Sequence, residues 1–236
     1  MAESLIASRF RGPPSSGNGG YVAGLLGARI RGAARVRLHA PPPLDRPLAI
    51  VEQGETILLN DGETLVASAT AAALALEVPP PPCLDEAREA ARRCAGFARH
   101  PFASCFVCGP DRAEGDGLRI FPGATKGGTV AAPFAPPADL ATNASGLLEP
   151  PLVWAALDCT GYFAIVGDRP VPMLLGEITV ELRGPVDRGP HVAFGWSLGD
   201  EGRKSRCGTA LASADGRILA AGLATWIRPR ERAEQP

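Results

Sequence analysis

Two blocks of this chain recur later in the same order, and that repetition constrains the fold more than any other feature. Arg35-Val36-Arg37-Leu38-His39-Ala40-Pro41 aligns with Thr179-Val180-Glu181-Leu182-Arg183-Gly184-Pro185, with Asp45-Arg46 near Asp187-Arg188. Farther on, Asp61-Gly62-Glu63-Thr64-Leu65-Val66-Ala67 aligns with Asp215-Gly216-Arg217-Ile218-Leu219-Ala220-Ala221. Each Asp-Gly pair sits between apolar-rich stretches, where positive φ is easily adopted, and so reads as a hairpin turn. Ahead of each strand set lies one segment that is apolar nearly all round, Tyr21 to Ile30 and Leu152 to Ile165. That pattern belongs to a helix covered on every side. The offset between copies grows from 131 residues at the helix to 144 and then 154 along the strands, as loops lengthen in the second copy. Each half therefore reads as a strand, a long buried helix and three or four long antiparallel strands. The expectation is an α+β chain with two copies of a sheet wrapped around a helix.

Composition supports a packed core. Of 236 residues, 45% are apolar and 21% charged, which excludes disorder of the whole chain. The 24 basic and 25 acidic residues leave a net charge of -1, so no global field favours nucleic acid or an anionic membrane. An anionic ligand needs a local cluster, and Arg203-Lys204-Ser205-Arg206 is the densest one beside a strand; it is either a phosphate contact or a solvated turn. The opening MAESLIASRF carries Glu3 and no long apolar run, and Ala71 to Leu76 is far short of the ~20 residues of a membrane helix. A cytoplasmic protein with no membrane or nucleic-acid partner is expected. The six cysteines then read as free thiols or metal ligands. Cys105-x-x-Cys108, with Cys94 and His100 nearby, offers four potential ligands, but structural zinc sites usually repeat the paired spacing and no second pair exists. No metal is expected. The proline cluster at 79–82 marks a boundary, giving an N-terminal half over 1–82, a connecting segment over 83–101 with an exposed helix from Leu84 to Ala98, and a C-terminal half over 102–236.

This order of elements resembles the hotdog fold, and two copies in one chain resemble the double-hotdog arrangement, whose halves imitate a dimer. Between 102 and 166, Cys105-Phe106-Val107-Cys108-Gly109-Pro110, Gly117-Leu118-Arg119-Ile120, Val130-Ala131-Ala132-Pro133-Phe134 and Leu157-Asp158 resemble the run seen in many hotdog thioesterases. In that family a His-Gly-Gly or Asn-Gly-Gly tripeptide opens the helix, and an acidic residue follows seven positions after the second glycine. Here the pattern is split. The first half has Asn18-Gly19-Gly20, but the acidic position is Gly27; the second half has Glu149-Pro150-Pro151, but the acidic position is Asp158. The resemblance implies an acyl-CoA thioesterase, with coenzyme A entering only as part of the substrate. It also implies one intact site at the pseudo-dimer interface, built from Asn18, Gly19, Gly20 and Asp158. Glu149-Pro150-Pro151 with Gly27 would form a dead site. Homo-oligomers of double-hotdog units are a further expectation.

The chemistry fits that division. Thioester hydrolysis develops negative charge on the carbonyl oxygen, which free N–H groups at a helix N-terminus are placed to receive, whereas prolines supply no donors. Asp158 follows Leu152-Val153-Trp154-Ala155-Ala156-Leu157 on an apolar segment. It reads as a general base, as a nucleophile, or as a helix Asp that faces solvent or caps a loop. Asn18 orients the thioester or caps its helix. Thr160 is placed to hold a water, and Cys159 reads as a packed thiol. Trp154, Trp196, Tyr162 and Phe163 either line an acyl pocket or pack in the core. Two other functions remain in view. A hydratase or dehydratase needs an acid–base histidine, and His39, His100 and His191 lie outside both helical segments. A non-catalytic acyl-CoA or lipid-binding module would keep the tunnel and lose the chemistry.

Overall fold

The computed structural model describes residues 2–140 and 142–230. Along the chain come β1 (Ala2–Leu5), α1 (Gly19–Gly27), β2 (Ala34–Leu38), β3 (Pro47–Gln53), β4 (Thr56–Asp61) and β5 (Thr64–Ala71). A short helix α2 (Leu84–Ala91) leads to β6 (Gly123–Ala124) and β7 (Val130–Phe134). The long helix α3 (Pro150–Val166) precedes β8 (Leu174–Leu182), β9 (His191–Glu201), β10 (Lys204–Ser213) and β11 (Ile218–Ile227). The eleven strands of the described residues form one antiparallel sheet in the order β1-β3-β4-β5-β2-β8-β11-β10-β9-β7-β6. Read inward from β1 and from β7, the two halves follow equivalent strand orders and meet at the β2–β8 pair.

The register at that seam reports the duplication directly. Arg35 lies opposite Thr179, its own equivalent in the sequence alignment, and Ala34↔Val180 and Val36↔Ile178 are the same pairing with the copies exchanged. A pseudo-two-fold axis therefore passes through the Arg35–Thr179 pair. The two Asp-Gly turns are hairpins as expected, with Gly62 at φ 56° and Gly216 at φ 85°. The second is the longer loop, closed by the Gly216 N–H on the Ser213 carbonyl.

Both helices lie on one face of this sheet and touch each other, α1 against β2, β5 and β8, and α3 against β9, β10 and β11. Proline at the first two positions of α3 needs no intrahelical donor there, and Gly167 at φ 55° ends it with its N–H on the Phe163 carbonyl. The first helix is shorter than the apolar run suggested. It ends at Gly27, where Arg29 and Ile30 donate to Leu26 and Gly27 in tighter three-residue bonds that turn the chain toward β2. Glycines 20, 24 and 27 cost helix propensity but face α3. A Cβ on Gly20 would lie 2.4 Å from Asp158 Cβ, on Gly24 2.5 Å from Pro151 Cα, and on Gly27 2.3 Å from Trp154 Cζ2.

The connecting segment also departs from expectation. Its helix stops at Ala91, and Ala87 and Ala90 are buried against β7, so α2 is amphipathic rather than exposed. A one-turn helix, Ala95–Phe97, follows a buried Cys94. Before it, Leu74 and Val78 pack on a small cluster containing Val192, Phe194, Ala210 and Ala212, on the sheet face opposite α3. Among the described residues no helix is long and apolar enough to cross a membrane.

Because Gly27 has no room for a side chain, Gly27→Ala overpacks the α1–α3 contact. It is expected to lower stability by about 1–3 kcal/mol, read as an earlier midpoint in urea unfolding followed by circular dichroism.

Candidate active site

Asn18 stands at the start of α1 in extended conformation, and its Oδ1 accepts the Tyr21 N–H at 2.9 Å. The side chain does more than cap. Its Nδ2 donates to Asp158 Oδ2 at 3.1 Å, and the Gly20 N–H donates to the same oxygen at 2.8 Å. Asp158 comes from the third turn of α3 and is 1% exposed, so it neither faces solvent nor caps a surface loop. Its other oxygen, Oδ1, is buried with no hydrogen-bond partner among the described residues. Burial pushes the Asp158 carboxyl up to about 7, against the opposing pull of the Gly20 N–H and the Asn18 amide.

A cavity of about 510 Å³ opens over this pair. Asn18, Gly19, Asp158 and Cys159 border it, with Leu38, Phe102, Tyr162, Met173, Leu175 and Trp226 supplying apolar wall. The Gly19 N–H has no acceptor among the described residues, whereas that of Gly20 is committed to Asp158. Only Gly19 of the two glycines borders the cavity.

The loop after α2 completes the wall. Phe106 donates its N–H to the Arg11 carbonyl at 2.7 Å, and Phe10 stacks on Tyr21 and meets Phe106 edge-on. A part-buried Arg112 ties the same loop to the Arg9 carbonyl and to Asp116. So residues numbered with the second half dock on the entrance to the first. They bring Cys105 and Cys108 to the cavity, where both join Cys159. Hydrogen bonds from its neighbours hold Cys105 well below the usual thiol range, while Cys108 and Cys159, hydrogen-bonded to Cys105 and desolvated, are held above it. Cys94 and His100 are not part of the cluster.

Several expected residues lie elsewhere. Thr160 donates its hydroxyl to the Ala156 carbonyl at 2.8 Å and is fully buried beside β9, away from the cavity. Trp154 packs its ring on Gly24 and Gly27, in the core and not in a pocket. Trp196 stacks on Phe194 on the opposite face of the sheet, and Phe163 lies under His100. Of the four aromatics considered, Tyr162 borders the cavity; Trp226, unremarked in the sequence, does so too. His39 and His100 also line it, although their sequence positions lie outside both helices. Arg203, Lys204 and Arg206 do not line it. They are exposed at the β9–β10 hairpin, next to its rim, with Lys204 paired to Ile227 and Arg203 Nη1 on the Arg228 carbonyl at 3.0 Å.

At the pseudo-symmetric place, Pro151 closes on Gly24 and the Trp154 indole fills the space beside Gly27. There Pro150 and Pro151 stand where Gly19 and Gly20 stand at the first place, and Gly27 stands where Asp158 does.

No protein-family model and no curated protein matches this sequence. Solved structures do match its fold. A tesB protein from Mycobacterium avium subsp. paratuberculosis superposes with a TM-score of 0.63 at 11% identity, covering 97% of this chain and 92% of that one. A hot dog fold protein of unknown function from Alicyclobacillus acidocaldarius gives 0.59 at 15%, covering 97% and 93%. The dehydratase domain of a mycocerosic acid synthase-like polyketide synthase gives 0.62 at 16%, covering 97% and 90%. The fold is the double hotdog.

Asn18→Ala removes the α1 cap and one of the two donors to a buried carboxylate. A stability loss of about 1–3 kcal/mol is expected from these two effects, measurable by chemical denaturation.

Proposed function

We propose that this chain hydrolyses an acyl-CoA thioester at one composite site, with Asp158 as general base and the Gly19 N–H as donor to the carbonyl oxygen. The observation that carries this reading is the buried carboxylate fixed through one oxygen, with the other oxygen unpartnered beside an apolar cavity. The thioester carbonyl lies at the mouth of α1, where the helix dipole and the Gly19 N–H stabilise the developing oxyanion. A water between the carbonyl carbon and Asp158 Oδ1 gives its proton to that oxygen as its own oxygen attacks. The tetrahedral intermediate then expels the coenzyme A thiolate. Gly20 and Asn18 keep Oδ2 engaged, so the carboxylate cannot rotate away between turnovers. Tyr162, Met173, Leu175 and Trp226 enclose the acyl group, and Arg203, Lys204 and Arg206 at the rim hold the phosphates. The tesB neighbour supports the choice of reaction class.

Hydration or dehydration of an acyl thioester is the second reading. It is favoured by His100, whose Nε2 is buried without a partner in a ring that borders the cavity, and by the dehydratase-domain neighbour. Burial lowers the His100 pKa, which keeps the imidazole neutral and able to take a proton.

Incubation with a panel of acyl-CoAs separates the readings, because hydrolysis releases free thiol and hydration only bleaches enoyl absorbance. Asp158→Asn is expected to lower thiol release at least ~100-fold with the fold intact, and Thr160→Val to leave it within a few-fold. An unaffected Asp158→Asn variant removes the proposed base. Loss of enoyl absorbance without thiol release, abolished by His100→Ala, would install the second reading. No turnover across the panel, with acyl-CoA still bound, would leave a binding module. A single turnover in 18O-water is expected to label the released acid and not Asp158, as base catalysis requires.

The basic hairpin gives a separate expectation. Arg203→Ala combined with Arg206→Ala should raise KM for coenzyme A esters about ten-fold, the scale of one charge-assisted phosphate contact, while leaving kcat and the KM of a pantetheine ester unchanged.

A further inference from the structure

The thiol cluster has no part in the reaction described above, yet three separate features point it toward a ligand. Cys105 and Cys108 come from one turn, whose Gly109 N–H donates to the Cys105 carbonyl at 2.9 Å. Cys159 comes from α3, fifty-four residues beyond Cys105. Their three sulfurs lie within 4.8 Å of one another, and the Cys105 and Cys159 sulfurs are 3.7 Å apart. A tetrahedral zinc with Zn–S bonds of about 2.3 Å places two ligand sulfurs roughly 3.8 Å apart, so that edge needs no adjustment to hold the ion.

The second feature is the direction left open. All three cysteines are buried, yet each borders the cavity. Three sulfurs account for three corners of a tetrahedron, and because each cysteine borders the cavity, a water or a thiol in it is the ligand at hand for the fourth. The third is the surrounding shell. Asn18 Nδ2 lies 3.9 Å from the Cys105 sulfur and 3.7 Å from the Cys159 sulfur, an N–H donor of the kind that steadies metal-bound thiolates. Sulfur donors alone favour a soft or borderline cation over calcium or magnesium.

We propose that Cys105, Cys108 and Cys159 bind one zinc ion, or a divalent cation of similar softness, with the fourth position open to the cavity. Binding exchanges three thiol protons for the ion, the protons passing to solvent, and involves no oxidation. The single Cys-x-x-Cys is thus completed by a residue from α3 that sequence spacing gave no reason to group with it. Cys94 and His100, its neighbours in sequence, take no part.

The site is tested without substrate, so its failure is separate from any failure of the thioesterase reading. The full chain is purified without chelator from zinc-supplemented cells, and metal is counted by mass spectrometry. About one zinc per chain is expected in the parent and in Cys207→Ser, a buried cysteine outside the cluster. At least a ten-fold loss is expected in Cys108→Ser and Cys159→Ser, each checked for folding by circular dichroism. Should either variant fail to fold, cobalt replacement in the parent decides: thiolate-to-cobalt charge transfer with intense visible bands marks four-coordinate sulfur ligation. The proposal is overturned if the parent carries no stoichiometric metal and takes up none on reconstitution. Equal zinc in the folded cysteine variants, or a cobalt spectrum lacking charge transfer, overturns it too.

Discussion

A close contact between α1 and α3 holds the molecule's chemistry in place. Gly20 of α1 presses on α3 where Asp158 emerges, so that a backbone N–H reaches the carboxylate at 2.8 Å. A buried carboxylate is costly unless donors meet it. Here one donor is backbone and the other is the Asn18 amide, which also caps α1. The same residues therefore begin the helix, join the halves and hold the charged group. The glycine stripe gives up helix propensity for this approach, and the sheet packed on both helices compensates for it.

Much of this is legible in the residue pattern itself. The duplication, its two hairpins and its growing offset follow from residue patterns that recur in order, and the β2–β8 register is symmetric about the aligned Arg35–Thr179 pair. The pairing of Asn18-Gly19-Gly20 with Asp158 came from a resemblance that split between the halves, and the structure brings the two parts into contact. What stayed hidden has a physical cause. A helix apolar on every side has no polar face to set its rotation, so positions near Asp158 could not be assigned a direction. Thr160 lies two residues on, about 200° around the helix, and faces β9 instead. Trp154 shares the Asp158 side but sits one turn nearer the N-terminus, where it meets Gly27 and not the cavity.

Loops were the other hidden part. Nothing local in residues 100–120 says that they dock on Arg9 and Arg11, because the contacts run through backbone carbonyls and a part-buried arginine. That docking brings His100, Cys105 and Cys108 to the cavity and gives Cys159 its neighbours. Likewise, Trp226 reaches the wall through its place in β11, beside β8 of the seam, a position that only the sheet order reveals.

The filled place beside Gly27 bears on how the chain responds to ligand concentration. A symmetric pair of hotdog subunits presents two equivalent mouths, and occupancy of one can alter the other through the shared seam. In this chain, the Trp154 indole stands against Gly27 and Pro151 against Gly24 at the equivalent place. With the single composite site proposed above, saturation within one chain follows a simple hyperbola, and a sigmoidal response belongs to contacts between chains.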